Sequence, residues 1–302
     1  MTKLSAKQYE EAKSFMMGEA RAIDKYMFLY EFEKGDPEDV IKELAKYQNA
    51  DGGFGWGLEP DLRCKESSVL ASTVALQYLS KLETESKNEL IKPCFTYLTD
   101  TYNETYKGWA IIPKEAVQSP RAIWWEYTAA SPAWGNPNAE VLGCFYEYPE
   151  LVDSQFKEKL TDESIQYLLE ESKLSDMHEL LCYVRLYERL PAELQAIIKP
   201  RLDRYVDNVV IKNPKDRHGY CAVPLQVADS PASVYYQHFA DVLPADLAQL
   251  IDSQTDAGSW EPNWSWGRYE EEWVEAKKEW EGYLTLGNLR ILKAYQAIET
   301  NI

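Results

Sequence analysis

The sequence predicts an all-α protein in which helical hairpins form a closed ring, as one domain over residues 1–302. Three observations lead there. Apolar residues recur at the 3.6-residue spacing of helices along much of the chain, and strand-like alternation is nearly absent. A turn signature near the beginning has an echo near the end. Two looser copies of it lie between.

Taken in order, Ala12, Phe15 and Met16, then Ile23, Met27 and Phe28, mark the first amphipathic segments. The glycine-rich run Gln48-Asn49-Ala50-Asp51-Gly52-Gly53-Phe54-Gly55 follows. Val74, Tyr78 and Leu79 mark the next helix, and Leu286, Leu289, Leu292 and Tyr295 the last. Gln254, Gly258 and Trp260 repeat the spacing of Gln48, Gly52 and Phe54. Gly108-Trp109 to Pro113 matches Gly219-Tyr220 to Pro224, and Ser119-Pro120 matches Ser230-Pro231 at the same separation. Gly55-Trp56 to Pro60 fits that template, and Gly258 to Pro262 fits it with one residue fewer.

The chemistry of the unit is legible. Glycine permits the left-handed backbone that ends a helix. The aromatic packs the turn, and proline holds the next piece extended. Ser before Pro reads as an N-cap followed by the favoured first helical residue. Each copy thus ends one helix and starts another, giving about twelve helical segments in about six pairs.

Composition narrows the function. The net charge is −18, which disfavours nucleic acid and anionic membranes as partners. No run approaches the roughly 18 apolar residues of a membrane span. Met1 to Arg21 is polar and lacks the apolar core of a signal peptide. The five cysteines are odd in number, scattered and without a CxxC pair. They read as free thiols, and the expected location is cytoplasmic.

The run Gln48-x-x-Asp51-Gly52-Gly53-Phe54-Gly55 resembles the repeat of the protein prenyltransferases, squalene cyclases and their relatives. The copy at Gln254 is similar, with Ala257 in place of the Asp. The resemblance implies an α/α toroid with a central cavity, in which Gln48, Phe54, Gln254 and Trp260 brace neighbouring helix pairs. The strings Gly55 to Asp61, Trp264 to Gly267 and Trp280 to Leu286 are similar to those of uncharacterised bacterial proteins carrying this repeat. The catalytic signatures of that family are missing: neither Asp-x-Asp-Asp nor Asp-Asp-x-x-Asp occurs. Asp61 and Cys64 lie three apart rather than the two of the family's zinc ligands, and the only histidines are His178, His218 and His238. No metal or cofactor is expected.

Glu59, Asp61 and Glu261 are the candidate catalytic groups, since carboxylates across a cavity divide proton donation and activation of water or a nucleophile. Helix capping or surface charge is the alternative. Trp56, Trp109, Trp125, Trp264 and Trp266 are candidate substrate-binding rings for a sugar or a cation, or else turn packing. Arg63 pairs with those acids or with an anionic ligand. Glu270-Glu271-Glu272 reads as a solvated helix face. The expected function is an enzyme acting on a small molecule in a Trp- and carboxylate-lined cavity, of terpenoid cyclase and prenyltransferase-like ancestry. A carbohydrate-active hydrolase or lyase, and a non-catalytic ligand- or peptide-binding module, are the alternatives.

Overall fold

The computed structural model describes residues 2–127 and 134–299. Their secondary structure is helical, with isolated bridges but no strand. The twelve α-helices among them are α1 Ala6–Gly18, α2 Ala22–Glu33, α3 Pro37–Leu44, α4 Val69–Lys81, α5 Ile91–Asp100 and α6 Gly135–Glu147, then α7 Ser154–Gln166, α8 Met177–Arg189, α9 Ala192–Val209, α10 Tyr236–Phe239, α11 Leu243–Asp252 and α12 Glu270–Ala294. No helix among the described residues is long and apolar enough to cross a membrane. By packing, the chain forms two compact units: Met1–Leu44 with Val210–Ile302, and Ala45–Val209.

The first unit joins both ends of the chain. Ser5 and Gln8 form a capping box that starts α1, each side chain taking an N–H of the other's backbone. Tyr9, Ala12, Phe15 and Met16 are buried along one stripe of that helix. Ile23, Met27, Phe28 and Phe32 do the same in α2, where Phe28 and Phe32 stack at 5.2 Å. Full burial of such a side chain contributes about 1.5–3 kcal/mol. The long α12 packs against α1 and α2. Arg290 pairs with Glu31 at 2.6 Å, and Leu4 bridges Ile298 beside the helix ends. Glu270, Glu271 and Glu272 occupy the first turn of α12 and are exposed, where negative charge complements the helix dipole.

The second unit is wrapped around α6. Gly135 and Pro137 to Phe145 are all buried, the pattern of a helix covered on most sides. It packs on α4, α7 and α8. Arg185 and Arg189 of α8 pair with Glu140 and Glu147 of α6, so the charges that the helix carries inward are matched. Phe95, Trp109, Phe145 and Phe156 add an aromatic core beside it.

Each unit holds one copy of the Gln-Gly-aromatic turn, a joint between helices, the first at Gln48 and the second at Gln254, and the two are built alike. In the second unit the Gln48 amide donates to Gly52 O and to Leu90 O, both at 2.9 Å. In the first, Gln254 donates to Gly258 O and Gln8 O, also at 2.9 Å. Phe54 N–H donates to Ser72 Oγ of α4, and Trp260 N–H to Thr285 Oγ1 of α12. Gly52 and Gly258 have φ of +88° and +86°. A Cβ there would lie 2.3 Å from Pro93 O and 2.4 Å from Glu11 O, so only glycine permits the approach.

Two sequence readings of the looser copies need correcting. Trp109 is equivalent to Phe54 and Trp260, not to Trp56: its N–H donates to Asn138 Oδ1 of α6, and its indole to Leu98 O. The Ser-Pro steps do not start long helices. Ser119 closes a short 3₁₀ turn, and Pro120 and Arg121 then pair with the loop after the first joint. Ser230 sits in a turn whose N–H is taken by Ser233 Oγ. Ser68, Asp153 and Asp176 supply N-caps instead, for α4, α7 and α8.

Candidate functional site

The loop that follows the first joint is held by its backbone. Trp56 and Gly57 adopt left-handed conformations, with φ of +56° and +73°. Leu58 N–H donates to Gly55 O, and Leu62 N–H to Glu59 O. Arg63 N–H then donates to Pro120 O, and Ala122 N–H to Asp61 O. Residues 61–63 are thereby laced to residues 120–122 in the manner of a short antiparallel bridge.

That lacing buries two carboxylates. Glu59 is 7% exposed and Asp61 3%. Arg63 lies on the same loop, and its guanidinium is near Gly57, where an added Cβ would sit 3.3 Å from Cζ. Arg121, also buried, clamps the opposing segment: Nε donates to Trp125 O, Nη1 to Val117 O and Ser119 O, and Nη2 to Glu126. Trp125 packs its half-buried ring on the cluster of Leu62, Cys64, Ile112 and Ala116. Its indole N–H is buried and has no acceptor. Of the predicted residues, the structure therefore gathers Glu59, Asp61, Arg63 and Trp125 into one laced pair of segments.

Cys64 ends the loop. Its thiol donates to Glu66 at 2.9 Å, and burial, then that hydrogen bond, push its pKa up to about 11. This thiol is a packed neutral group, not an activated nucleophile. No group of three or more His, Cys, Asp or Glu among the described residues is arranged to hold a metal ion.

The other predicted rings on this unit divide. Trp56 is 55% exposed and donates its indole N–H to Asn49 Oδ1. Trp109 is 1% exposed, with Tyr102 and Phe145 edge-on to its ring. It packs the looser copy of the turn at Gly108.

In the first unit, Glu261, Trp264 and Trp266 lie on the stretch between the second joint and α12. Glu261 is exposed and pairs with Lys277 at 3.2 Å, which also reaches Glu281 at 3.6 Å. Burial, followed by the nearby Glu261 charge, raises the Glu281 pKa against the opposing pull of Lys277. Trp264 meets Tyr220 and Trp280 edge-on, each at 5.2 Å, and Trp280 meets Tyr283 at 5.4 Å. The indole N–H of Trp264 is buried without an acceptor, as in Trp125. Trp266 is fully buried against Trp273.

Lys277, Trp280 and Glu281 are not among the predicted site residues. Their signal is present in the sequence: the three stand within one helical turn of each other, on a helix next to a candidate acid. No protein-family model matches the chain, and no curated protein sequence matches it either.

Proposed function

We propose that this protein is an enzyme acting on a small molecule by carboxylate acid/base chemistry, within an α/α toroid of the terpenoid cyclase and prenyltransferase type. The toroid reading is supported by the two joints. For Gln254 the acceptor is on α1, where for Gln48 it is Leu90 at the start of α5. The first helix of the chain thus takes, in the last joint, the place that α5 takes in the first.

The catalytic reading rests on the burial of Glu59 and Asp61. Acids are rarely buried, and a loop residue has a ready alternative in water. Two on one loop, with an arginine on the same loop and a half-buried tryptophan on the segment laced to it, support acid/base chemistry there. The roles assigned are general acid and base for Glu59 and Asp61, and anion or carboxylate pairing for Arg63. Glu261 belongs to the other unit, where it pairs with Lys277 at 3.2 Å.

A carbohydrate-active hydrolase or lyase is the reading favoured within this class. Trp125 and Trp264 each combine a half-buried ring with an unsatisfied indole N–H. A saccharide can stack its C–H face on the part of each ring left exposed.

The test is turnover of a panel of nitrophenyl glycosides, oligosaccharides and isoprenyl diphosphates by wild type, Glu59→Gln and Asp61→Asn. Loss of at least about a hundredfold in kcat with cooperative unfolding retained is expected. Full activity in both variants would sink the acid/base reading. Binding without turnover in the wild type would favour the non-catalytic module.

A further inference from the structure

A cleft of about 170 Å³ lies in the unit 45–209, among residues that the proposed acid/base loop does not use. Its walls carry the rings of Tyr106, Trp134 and Tyr167 and the polar groups of Glu163, Gln166 and Glu171, with Lys107 beside Tyr106. This volume is below the roughly 300–1,000 Å³ of sites for drug-sized ligands, so it suits a headgroup rather than a large molecule.

The walls are braced from behind. Asn103 Oδ1 accepts the N–H groups of Thr105 and Tyr106, which sets the turn presenting Tyr106. The Trp134 indole donates to Lys107 O at 2.6 Å. Tyr102 OH donates to Glu163 at 3.1 Å. Tyr167 OH donates to Glu179 at 2.8 Å, and Glu179 in turn accepts from Tyr205 and Ser172. The ring of Tyr167 is therefore pinned by a buried carboxylate, with its centroid 6.4 Å from that of Trp134.

Helix α7 runs into a π turn at Tyr167–Glu171, closed by Ser172 N–H donating to Tyr167 O. Such turns are frequent at functional sites. Here the wider turn keeps Glu163, Tyr167 and Glu171 along one wall. Three ring faces carry negative electrostatic potential, and two carboxylates outnumber the single lysine. The chain's net charge of −18 adds a field that attracts cations.

We propose that this cleft binds an organic ammonium group, a methylated amine of the choline type. The ammonium sits against Trp134 and Tyr167, with Glu163 and Glu171 as counter-charges. The proposal stands apart from the acid/base reading, since the two share no residue.

Isothermal titration calorimetry on the full chain at low salt tests it, with choline and tetramethylammonium as probes and 3,3-dimethylbutanol as the neutral isostere. Both ammonium ions should bind, and the alcohol should bind at least about tenfold more weakly. Glu171→Gln, at an exposed position, should weaken binding about two- to fivefold. Adding Glu163→Gln should weaken it further, and Tyr167→Leu about two- to thirtyfold. Thermal melts without ligand separate these losses from unfolding, and the Glu171 variant keeps the test sound if Tyr167→Leu does not fold. Equal binding of the alcohol would overturn the proposal. So would no heat with either ammonium ion, or unchanged affinity in both glutamate variants.

Discussion

The side-chain amide of Gln254 donates to the backbone carbonyl of Gln8 at 2.9 Å, joining the turn before α12 to the first helix of the chain. The same amide closes its own turn on Gly258 O. Gln48 makes the matching pair of bonds to Leu90 O and Gly52 O. Two segments with little else in common, apart from glycine and an aromatic, thus reproduce one bonding pattern. The glutamine is the part that ties a turn to a neighbouring helix.

Replacing either glutamine with alanine removes two hydrogen bonds and leaves two carbonyls to find other partners. Each variant should lose about 2 kcal/mol of stability in urea unfolding. Because the geometries match, the two losses should agree within about 1 kcal/mol. A variant with an unchanged midpoint would show that its joint does not brace the fold.

Glycines separate joint from helix. Gly52→Val places a β-branched residue at φ +88°, against Pro93 O, and should cost more than about 2 kcal/mol. Gly287 lies inside α12 with nothing within 4 Å of an added Cβ. Gly287→Ala should therefore stabilise by about 0.5–1 kcal/mol through helix propensity and reduced chain entropy. Thermal melts of the pair decide the matter: equal shifts in the same direction would refute the assignment.

Buried thiols give the stability a pH dependence of definite sign. Burial raises Cys64 to about 11 and Cys94 and Cys182 to about 12, and pushes Cys144 well up too. A raised folded pKa gives stability that is complete below the unfolded value near 9.0 and is lost as pH rises through the folded value. The melting temperature should fall between about pH 9 and 11, a direction reinforced by the buried tyrosines. A flat profile there would contradict the burial. At pH 8 iodoacetamide should modify Cys221, which is only partly buried, before the other four, as read by mass spectrometry of the native chain.

Much of the helical framework is visible in the sequence. Ala12, Phe15 and Met16, or Leu286, Leu289 and Leu292, can lie together only on a helix, and all six are buried. The joints are also visible, since Gln and Gly at fixed spacing leave a mark that packing does not erase. Trp56 aligns falsely with Trp109 because Gly-Trp-x-x-x-Pro recurs without regard to which N–H meets the next helix. That distinction depends on Ser72, Asn138 and Thr285, which lie far along the chain from the turns they hold. The Ser119-Pro120 step misleads for a similar reason: pairing with a distant loop overrides the local preference for a helix start.

The candidate site is less legible. Glu59 and Asp61 stand out by position, but a sequence records charge and not exclusion of water. Their burial follows from the backbone lacing to residues 120–122, a long-range contact without a pattern of its own. Glu163, Tyr167 and Glu171 show ordinary helical spacing, and the π turn that lines them up leaves no distinguishing residue type.

The union of α1 with α12 has a consequence for how this molecule is made. Residues 45–209 are continuous, so their contacts can form while synthesis is still under way. The other unit has to wait. Helices α1 to α3 pack in part on one another, but α12, the partner of α1 and α2, is translated long after them. Pairings of such long sequence separation are slow to close. Until α12 has been translated, the newborn chain therefore carries the apolar faces that α12 covers, and chaperones and aggregation compete for them.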